Sequence, residues 1–208
     1  MKSLPDRIIV VGAGGHAKVV IATVRAAGGD VVAVYDDDQS RWGQRVLGVP
    51  IKGPISGEEI GSSPAIIAIG NNRARQAIAE RLRAQWVSVC HPSTTVHPSV
   101  SLGPGTVVFA GAVIQPDATI GAHSILNTAT SVDHDCIVGD FVHIGPGVSL
   151  CGGVTLDEGV LLGVGAKVAP NVQIGPWSTA GAGAVCVVDV PGSTTVVGVP
   201  ARSVEADA

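Results

Sequence analysis

The chain of 208 residues carries 13 lysines and arginines against 17 aspartates and glutamates, a net charge of −4, so its surface as a whole offers no field that concentrates nucleic acid or an anionic membrane. Charged residues make up 14% of the chain, and 28 glycines and 13 prolines stand beside three Trp, one Tyr and two Phe, a balance that excludes a disordered chain and an ordinary helical bundle. No run approaches the roughly 18 uninterrupted apolar residues of a membrane helix, and the opening MKSLPDRIIVVGAGGHAKVV, broken by charges and glycines, makes a poor secretory signal. Cys90, Cys136, Cys151 and Cys186 lie far apart with no C-x-x-C pair, which predicts reduced thiols in a cytoplasmic protein. Cys90, His91, His134 and Cys136 lack the ligand spacing of a zinc site, so no metal is expected.

From Arg7 to about Ser88 short apolar runs alternate with helical periods. Arg7–Gly12, Asp30–Tyr35 and Ala65–Gly70 are expected as buried strands, and helices are expected over Gly15–Ala27 and over Arg73–Arg83, the latter with an apolar face at Ala74, Ile78 and Leu82. The order βαβ then βα implies a small parallel sheet whose ligands sit at the carboxyl ends of its strands. At one such end Gly12-Ala13-Gly14-Gly15-His16-Ala17 opens the first helix, and Asp36 and Asp37 close the second strand. The pattern fits the G-x-G-x-x-A fingerprint, in which the helix amino terminus faces a pyrophosphate and an Asp faces a ribose hydroxyl. A region of about ninety residues holds only half of the usual dinucleotide sheet, which favours a nucleotide sugar over a nicotinamide dinucleotide.

From Val96 the period changes. The chain falls into fifteen consecutive hexads, VHPSVS to AGAGAV, without insertion or deletion; fourteen first positions are Val, Leu or Ile, and every fifth position is Val, Thr, Ala, Ser or Cys. One large and one small apolar slot every six residues fit neither an α-helix nor a flat strand. They fit a solenoid with flat faces and tight corners, a parallel β-helix.

This repeat resembles that of the left-handed β-helix acyltransferases, in which three hexads make one triangular coil of eighteen residues. Fifteen hexads then form about five coils, about 24 Å long at roughly 4.8 Å per coil. With VGAGGHAK, YDD and AIGNNRAR ahead of the prism and NTATSVDHDCIVGDFVHIGPG within it, the whole order resembles the sugar acetyltransferases of the PglD and NeuD type. The resemblance implies a half-Rossmann-like α/β domain over residues 1–90 that binds a nucleotide sugar, a left-handed parallel β-helix over 91–208, acetyl-CoA as co-substrate, transfer to an amino group of a nucleotide-activated sugar, and a homotrimer with the coenzyme between neighbours. O-acetylation of a sialic acid and a catalytically silent sugar-nucleotide scaffold are the competing readings.

His134, in Asp133-His134-Asp135, occupies neither inward slot of its hexad. Taken alone it fits a solvated polar turn as well as a general base whose basicity a neighbouring carboxylate raises. The resemblance implies the base, with Asp135 as its modulator. One coil of eighteen residues places Gly152 beside His134 and Cys151 beside Asp133, and a bare glycine there would admit a thioester and offer an N–H to its carbonyl; the resemblance likewise implies Gly152 at the acetyl group. Cys136 fills an inward slot and is expected in the core, and Cys151 is shown no cation that would make it a nucleophile, so direct attack by the amine is preferred. The resemblance further implies His143 near the coenzyme thioester, Val164, Ala182 and Arg202 along the coenzyme, Gly14, Gly15 and His16 as the substrate loop, Asp36, Asp37 and Gly70 as further substrate contacts, and Asn127 facing the substrate.

Overall fold

A computed structural model describes residues 4–204, so Met1–Ser3 of the opening stretch lie outside it. The first ninety residues form β1 (Ile8–Val11), α1 (Gly15–Ala26), β2 (Val31–Tyr35), a hairpin of β3 (Arg45–Val46) and β4 (Val49–Pro50), the short α2 (Gly57–Ile60), β5 (Pro64–Ile67), α3 (Asn72–Arg81) and β6 (Gln85–Trp86). Strands β2, β1, β5 and β6 pair in that order, all parallel. The β-branched run of β1 is buried along its length, as a central strand covered on both faces requires. Because β2 and β5 lie on opposite sides of β1, the loops after β1 and β5 meet at the switch point where ligands of such sheets bind. Gly12, at φ +102°, sits at that meeting point, and a Cβ there would stand 2.7 Å from the Ile69 side chain.

The expected strands and helices appear with ends shifted by a few residues, while the hairpin, α2 and β6 were not foreseen. The face of α3 differs from the expected one. Ala74 is exposed, and the side turned inward carries Asn72, Arg75 and Ile78. An apolar stripe was expected because polar side chains are rarely buried without partners; here the partners are backbone carbonyls of the prism.

The prism is a left-handed parallel β-helix with three faces. Face 1 stacks Val89–Cys90, Val107–Val108, Ile125–Leu126, His143–Ile144, Leu161–Leu162, Thr179–Ala180 and Thr195–Val197, closed by the antiparallel Arg202–Ser203. Face 2 runs from Thr95–Val96 to Val185–Cys186 and face 3 from Ser101–Leu102 to Gln173–Ile174. In both directions the stack is longer than the five coils expected. It starts one hexad earlier, at Val89–Cys90, and its last coil is two residues short, pairing Thr179 with Thr195 instead of a residue eighteen positions on. That shortened coil hid the final rung from a strict hexad count.

The large slot of each hexad, from Val108 to Ala180, and the small slot, from Thr106 to Ala184, point into one continuous core. Each fully buried Val or Leu contributes about 1.5–3 kcal/mol of gross burial energy. Most hydroxyls in the small slot are satisfied by carbonyls of the next corner, as in Thr106 Oγ1 to Gly121 O at 2.7 Å and Ser124 Oγ to Gly139 O at 2.9 Å, while Thr130 Oγ1 has no partner among the described residues. From Gly105 to Gly183 the fourth residue of each hexad turns the corner in the left-handed region, Gly147 and Gly153 in two successive hexads and Asp135, at φ 59°, in another. The amino-terminal region covers the first three rungs of face 1, where the outward Val89, Val107 and Ile125 are buried.

Candidate active site

His134 lies just beyond the Ser131–Val132 rung, on the corner between faces 2 and 3, with 61% of its side chain exposed. Its Nδ1 is 2.7 Å from Asp135 Oδ2. A carboxylate can only accept, so Nδ1 carries the proton and the neutral ring leaves Nε2 bare. The hydrogen bond to Asp135 raises the His134 pKa above its ordinary value, desolvation opposes it, and the charges of Asp133 and Asp135 add to the rise.

Eighteen residues on, Gly152 lies against that imidazole. A Cβ at Gly152 would come within 2.6 Å of both Cε1 and Nε2 of His134. Among the described residues, the Gly152 N–H meets no acceptor, while the next amide, Gly153, donates to the His134 carbonyl at 3.0 Å. The corner therefore presents a basic nitrogen, a glycine whose missing Cβ makes room for the imidazole, and a free backbone donor together. Gly152→Ala is expected to push the exposed ring off its Asp135 partner without disturbing the core. Turnover should fall by at least about tenfold with Tm nearly unchanged, and kinetics with a melting curve check both.

Cys136 is buried, its thiol donating to the Cys151 carbonyl at 3.2 Å, and burial raises its pKa, as suits a core residue. Cys151 is half-buried beside Gly152.

A second cluster forms where the amino-terminal region meets face 1. Helix α1 begins at Gly15 with no side-chain cap and no acidic residue in its first turn, and a Cβ on Gly14 or Gly15 would meet open space. Its first amides are left for an anionic ligand. His16 packs edge-on against Phe109, 5.3 Å between ring centroids, and 6.1 Å from the His143 ring. Burial, aided by His143 and Arg75, lowers the His16 pKa to about 4, and its buried Nε2 has no partner among the described residues. His143 bonds through Nδ1 to the Gly70 carbonyl at 3.2 Å and through Nε2 to Asn127 Nδ2 at 3.3 Å, and burial with the Arg75 charge lowers its pKa to about 4. Gly14, Gly15, His16, Gly70, Asn127 and His143 therefore border one junction.

Asp36 and Asp37 also lie in the amino-terminal region, with their carboxylates engaged inside the chain. Asp36 accepts from the Ala13 and Asp38 amides, shaping the glycine loop, and Asp37 accepts from the Ile55 amide and faces Arg81 at 3.4 Å. Val164 and Ala182 are exposed beyond their face 1 rungs, on the corner between faces 1 and 2, and Arg202 is exposed on the closing strand. Within one chain the residues expected from the sequence thus divide between two corners, His134, Asp135 and Gly152 on one and Asn127, Val164 and Ala182 on the other, and both border face 2.

The family model of the PglD N-terminal domain matches residues 7–82. A mutant of perosamine N-acetyltransferase from Caulobacter crescentus, solved in complex with CoA and GDP-perosamine, is 44% identical, with 96% of this chain and 97% of that chain covered at a TM-score of 0.90. The chain belongs to the PglD-type hexapeptide-repeat sugar acetyltransferases. The acetyltransferase domain of PglB from Neisseria gonorrhoeae is 39% identical over 96% of this chain and 100% of that one, TM-score 0.90, and WeeI from Acinetobacter baumannii is 26% identical over 95% and 99%, TM-score 0.84. A comparison with curated proteins returns no match.

Two residues of this PglD-type chain escaped the sequence reading. Arg41 donates to the Ala13 carbonyl at 3.0 Å and pairs with Asp38, which hangs a cation on the glycine loop. Arg75 is fully buried, its guanidinium surrounded by carbonyls of both regions. An isolated Arg at the end of a three-residue 3₁₀ turn, or on a helix rich in charges, carries no sequence signal of either role.

Proposed function

We propose that the chain transfers the acetyl group of acetyl-CoA to an amino group of a nucleotide-linked sugar, by direct attack of the amine with His134 as general base. The observation that carries this is the bare Nε2 of His134, its ring held by Asp135 and packed on the backbone of Gly152. Support for the ligands comes from relatives: the PglB domain was solved with acetyl coenzyme A, and the perosamine enzyme with CoA and GDP-perosamine. The amine nitrogen attacks the thioester carbon, His134 takes the proton that the nitrogen sheds, and the Gly152 N–H receives the developing oxyanion. Collapse breaks the C–S bond, and the imidazolium returns the proton to the departing thiolate. Amine and thioester thus become amide and free CoA.

Residues 1–90 serve as the nucleotide-sugar domain in this reading and 91–208 as the acetyltransferase domain. The two groups of site residues meet when face 2 of three chains packs about a threefold axis, so that the Asn127 corner of one chain adjoins the His134 corner of its neighbour. The outward residues of face 2, Thr95, Val113, Ser131, Ser149, Lys167 and Val185, are small or uncharged apart from Lys167, which suits flush packing.

Thiol release from acetyl-CoA with a panel of amino-sugar nucleotides, with sialic acid as an oxygen acceptor, tests the reading. Release with an amino-sugar nucleotide supports it, release with sialic acid alone favours O-acetylation, and none with any acceptor leaves a binding scaffold. Direct attack requires intersecting double-reciprocal lines and a Cys151→Ala variant that keeps most activity, whereas parallel lines would place an acyl-cysteine on the path.

The pH profile probes Asp135. As a base His134 works unprotonated, so activity rises as pH climbs through its raised pKa. Asp135→Asn removes the largest cause of that elevation. The acidic limb of kcat/KM should move to lower pH while the plateau falls, because a weaker base takes the proton less readily. An unmoved limb would separate Asp135 from the base.

A further inference from the structure

Arg75 is the most deeply buried charged side chain of the junction, at 1% exposure, and only neutral oxygens accept from it. Its Nε donates to the His123 carbonyl at 2.7 Å, Nη2 to the Phe141 carbonyl at 2.8 Å and to Asn72 Oδ1 at 2.9 Å, and Nη1 to the Ile69 carbonyl at 2.9 Å and the Gly70 carbonyl at 3.3 Å. Asn72 in turn donates to the Gly159 carbonyl at 3.0 Å. The buried side of α3 thus grips three successive coils of one prism corner, at His123, Phe141 and Gly159. Docking alone does not need a cation, and apolar packing would serve it without the desolvation cost.

From Arg75 onward the hydrogen bonds have one possible polarity. The Gly70 carbonyl can only accept, so it takes an N–H from Arg75 and another from His143 Nδ1. The neutral ring then has a bare Nε2, which must accept, and it faces Asn127 Nδ2 at 3.3 Å. The Asn127 Oδ1 end is fixed independently, since it accepts from the Thr128 amide at 2.9 Å. One N–H of the Asn127 amide remains unassigned.

We propose that Arg75 is a positioning residue of the site: through the Gly70 carbonyl it holds His143 as a neutral Nδ1–H imidazole, which holds Asn127 with one amide N–H left to meet an acceptor oxygen of the ligand. His143 is then a linker and not a donor to the thioester carbonyl, since its one N–H is spent on Gly70. Burial, with the Arg75 charge from α3, keeps His143 neutral against the pull of the Gly70 carbonyl, and the His16 ring of α1, 6.1 Å away, is itself neutral through burial. The ligand half of the proposal rests on the acetyl-transfer reading; the tautomer does not.

The tautomer is measured directly by ¹⁵N NMR of side-chain imidazoles in the whole protein, with the six histidines assigned by single substitution. The wild-type protein should show His143 neutral and protonated at Nδ1 from pH 8 down to about 5. An Nε2–H tautomer, or titration near the ordinary histidine value, would overturn the proposal whatever the enzyme's activity. Asn127→Asp replaces the donor with an acceptor of the same shape, so His143 should become Nε2-protonated or cationic at neutral pH. Arg75→Lys keeps the charge but not the fork, and Arg75→Met keeps neither; the His143 pKa should stay low in the first and rise in the second. An anchor of purely structural kind would move the melting temperature in both and the His143 resonances in neither, and that result overturns the positioning role.

Kinetics locates the ligand oxygen. Loss of one hydrogen bond in Asn127→Asp should raise one KM by roughly 3- to 10-fold. A rise for the sugar nucleotide places the oxygen on the sugar, and a rise for acetyl-CoA places it on the coenzyme. No change in either, with His143 behaving as expected, removes the ligand contact and leaves only the relay.

Discussion

Replacing His134 with Ala or Asn is expected to lower kcat by about 10²- to 10⁴-fold, the usual contribution of a positioned general base, with the fold and assembly intact. The two halves of that expectation have separate origins. His134 stands on a corner with 61% of its side chain in solvent, so its removal opens no cavity and should change stability by no more than about 0.5 kcal/mol. The chemical loss is large because nothing else on that corner can replace it: Asp133 and Asp135 are carboxylates too weakly basic for an ammonium proton, and Cys136 is sealed in the core. Asn is the sharper probe. It can preserve a contact to Asp135 while offering no basic nitrogen, so a deep loss in His134→Asn, with substrate KM values held, assigns the loss to proton transfer. Near-normal turnover in either variant would remove His134 from the mechanism.

The prism was legible because each coil repeats one physical constraint, a large inward residue, a small inward residue and a tight corner, and ninety residues of repetition leave no competing period. The same arithmetic placed Gly152 against His134, since an eighteen-residue coil makes stacking a matter of counting. Where the period failed, so did the reading: the last coil, two residues short between Thr179 and Thr195, fell outside the strict hexads. The docking of α3 was not legible at all. Asn72 and Arg75 look like a solvated helix face, and only the prism carbonyls that the fold delivers to them, from His123, Phe141 and Gly159, make that face an inward one. Asp36 was read as a substrate contact by resemblance. What could not be read was that its carboxylate is bound to the Ala13 amide of the glycine loop. Local pattern identifies elements, whereas contacts between distant elements depend on a register that one sequence does not state.

The division of the site between two corners makes the second large prediction. If each active site takes its base from one chain and its substrate cluster from a neighbour, then two variants that are each inactive should restore activity when mixed. His134→Ala removes the base corner, and Gly14→Trp fills the open space ahead of the first α1 amides in the junction cluster. Each variant assembled alone should be nearly inactive. When the two are unfolded, mixed in equal amounts and refolded together, the chains of such an assembly combine at random. A site then has one chance in two of an intact base corner and, independently, one chance in two of an intact junction, so about a quarter of wild-type activity should return. A control on the same corner fixes the interpretation: His134→Ala mixed with Gly152→Val must give nothing, because no neighbour can supply a corner that both chains lack on the same side. Separate sites within each chain would leave every mixture as inactive as its parts. The size of the gain, from near zero to about one quarter, exceeds any effect that altered stability could produce, since neither His134 nor Gly14 lies in the prism core that holds each chain together.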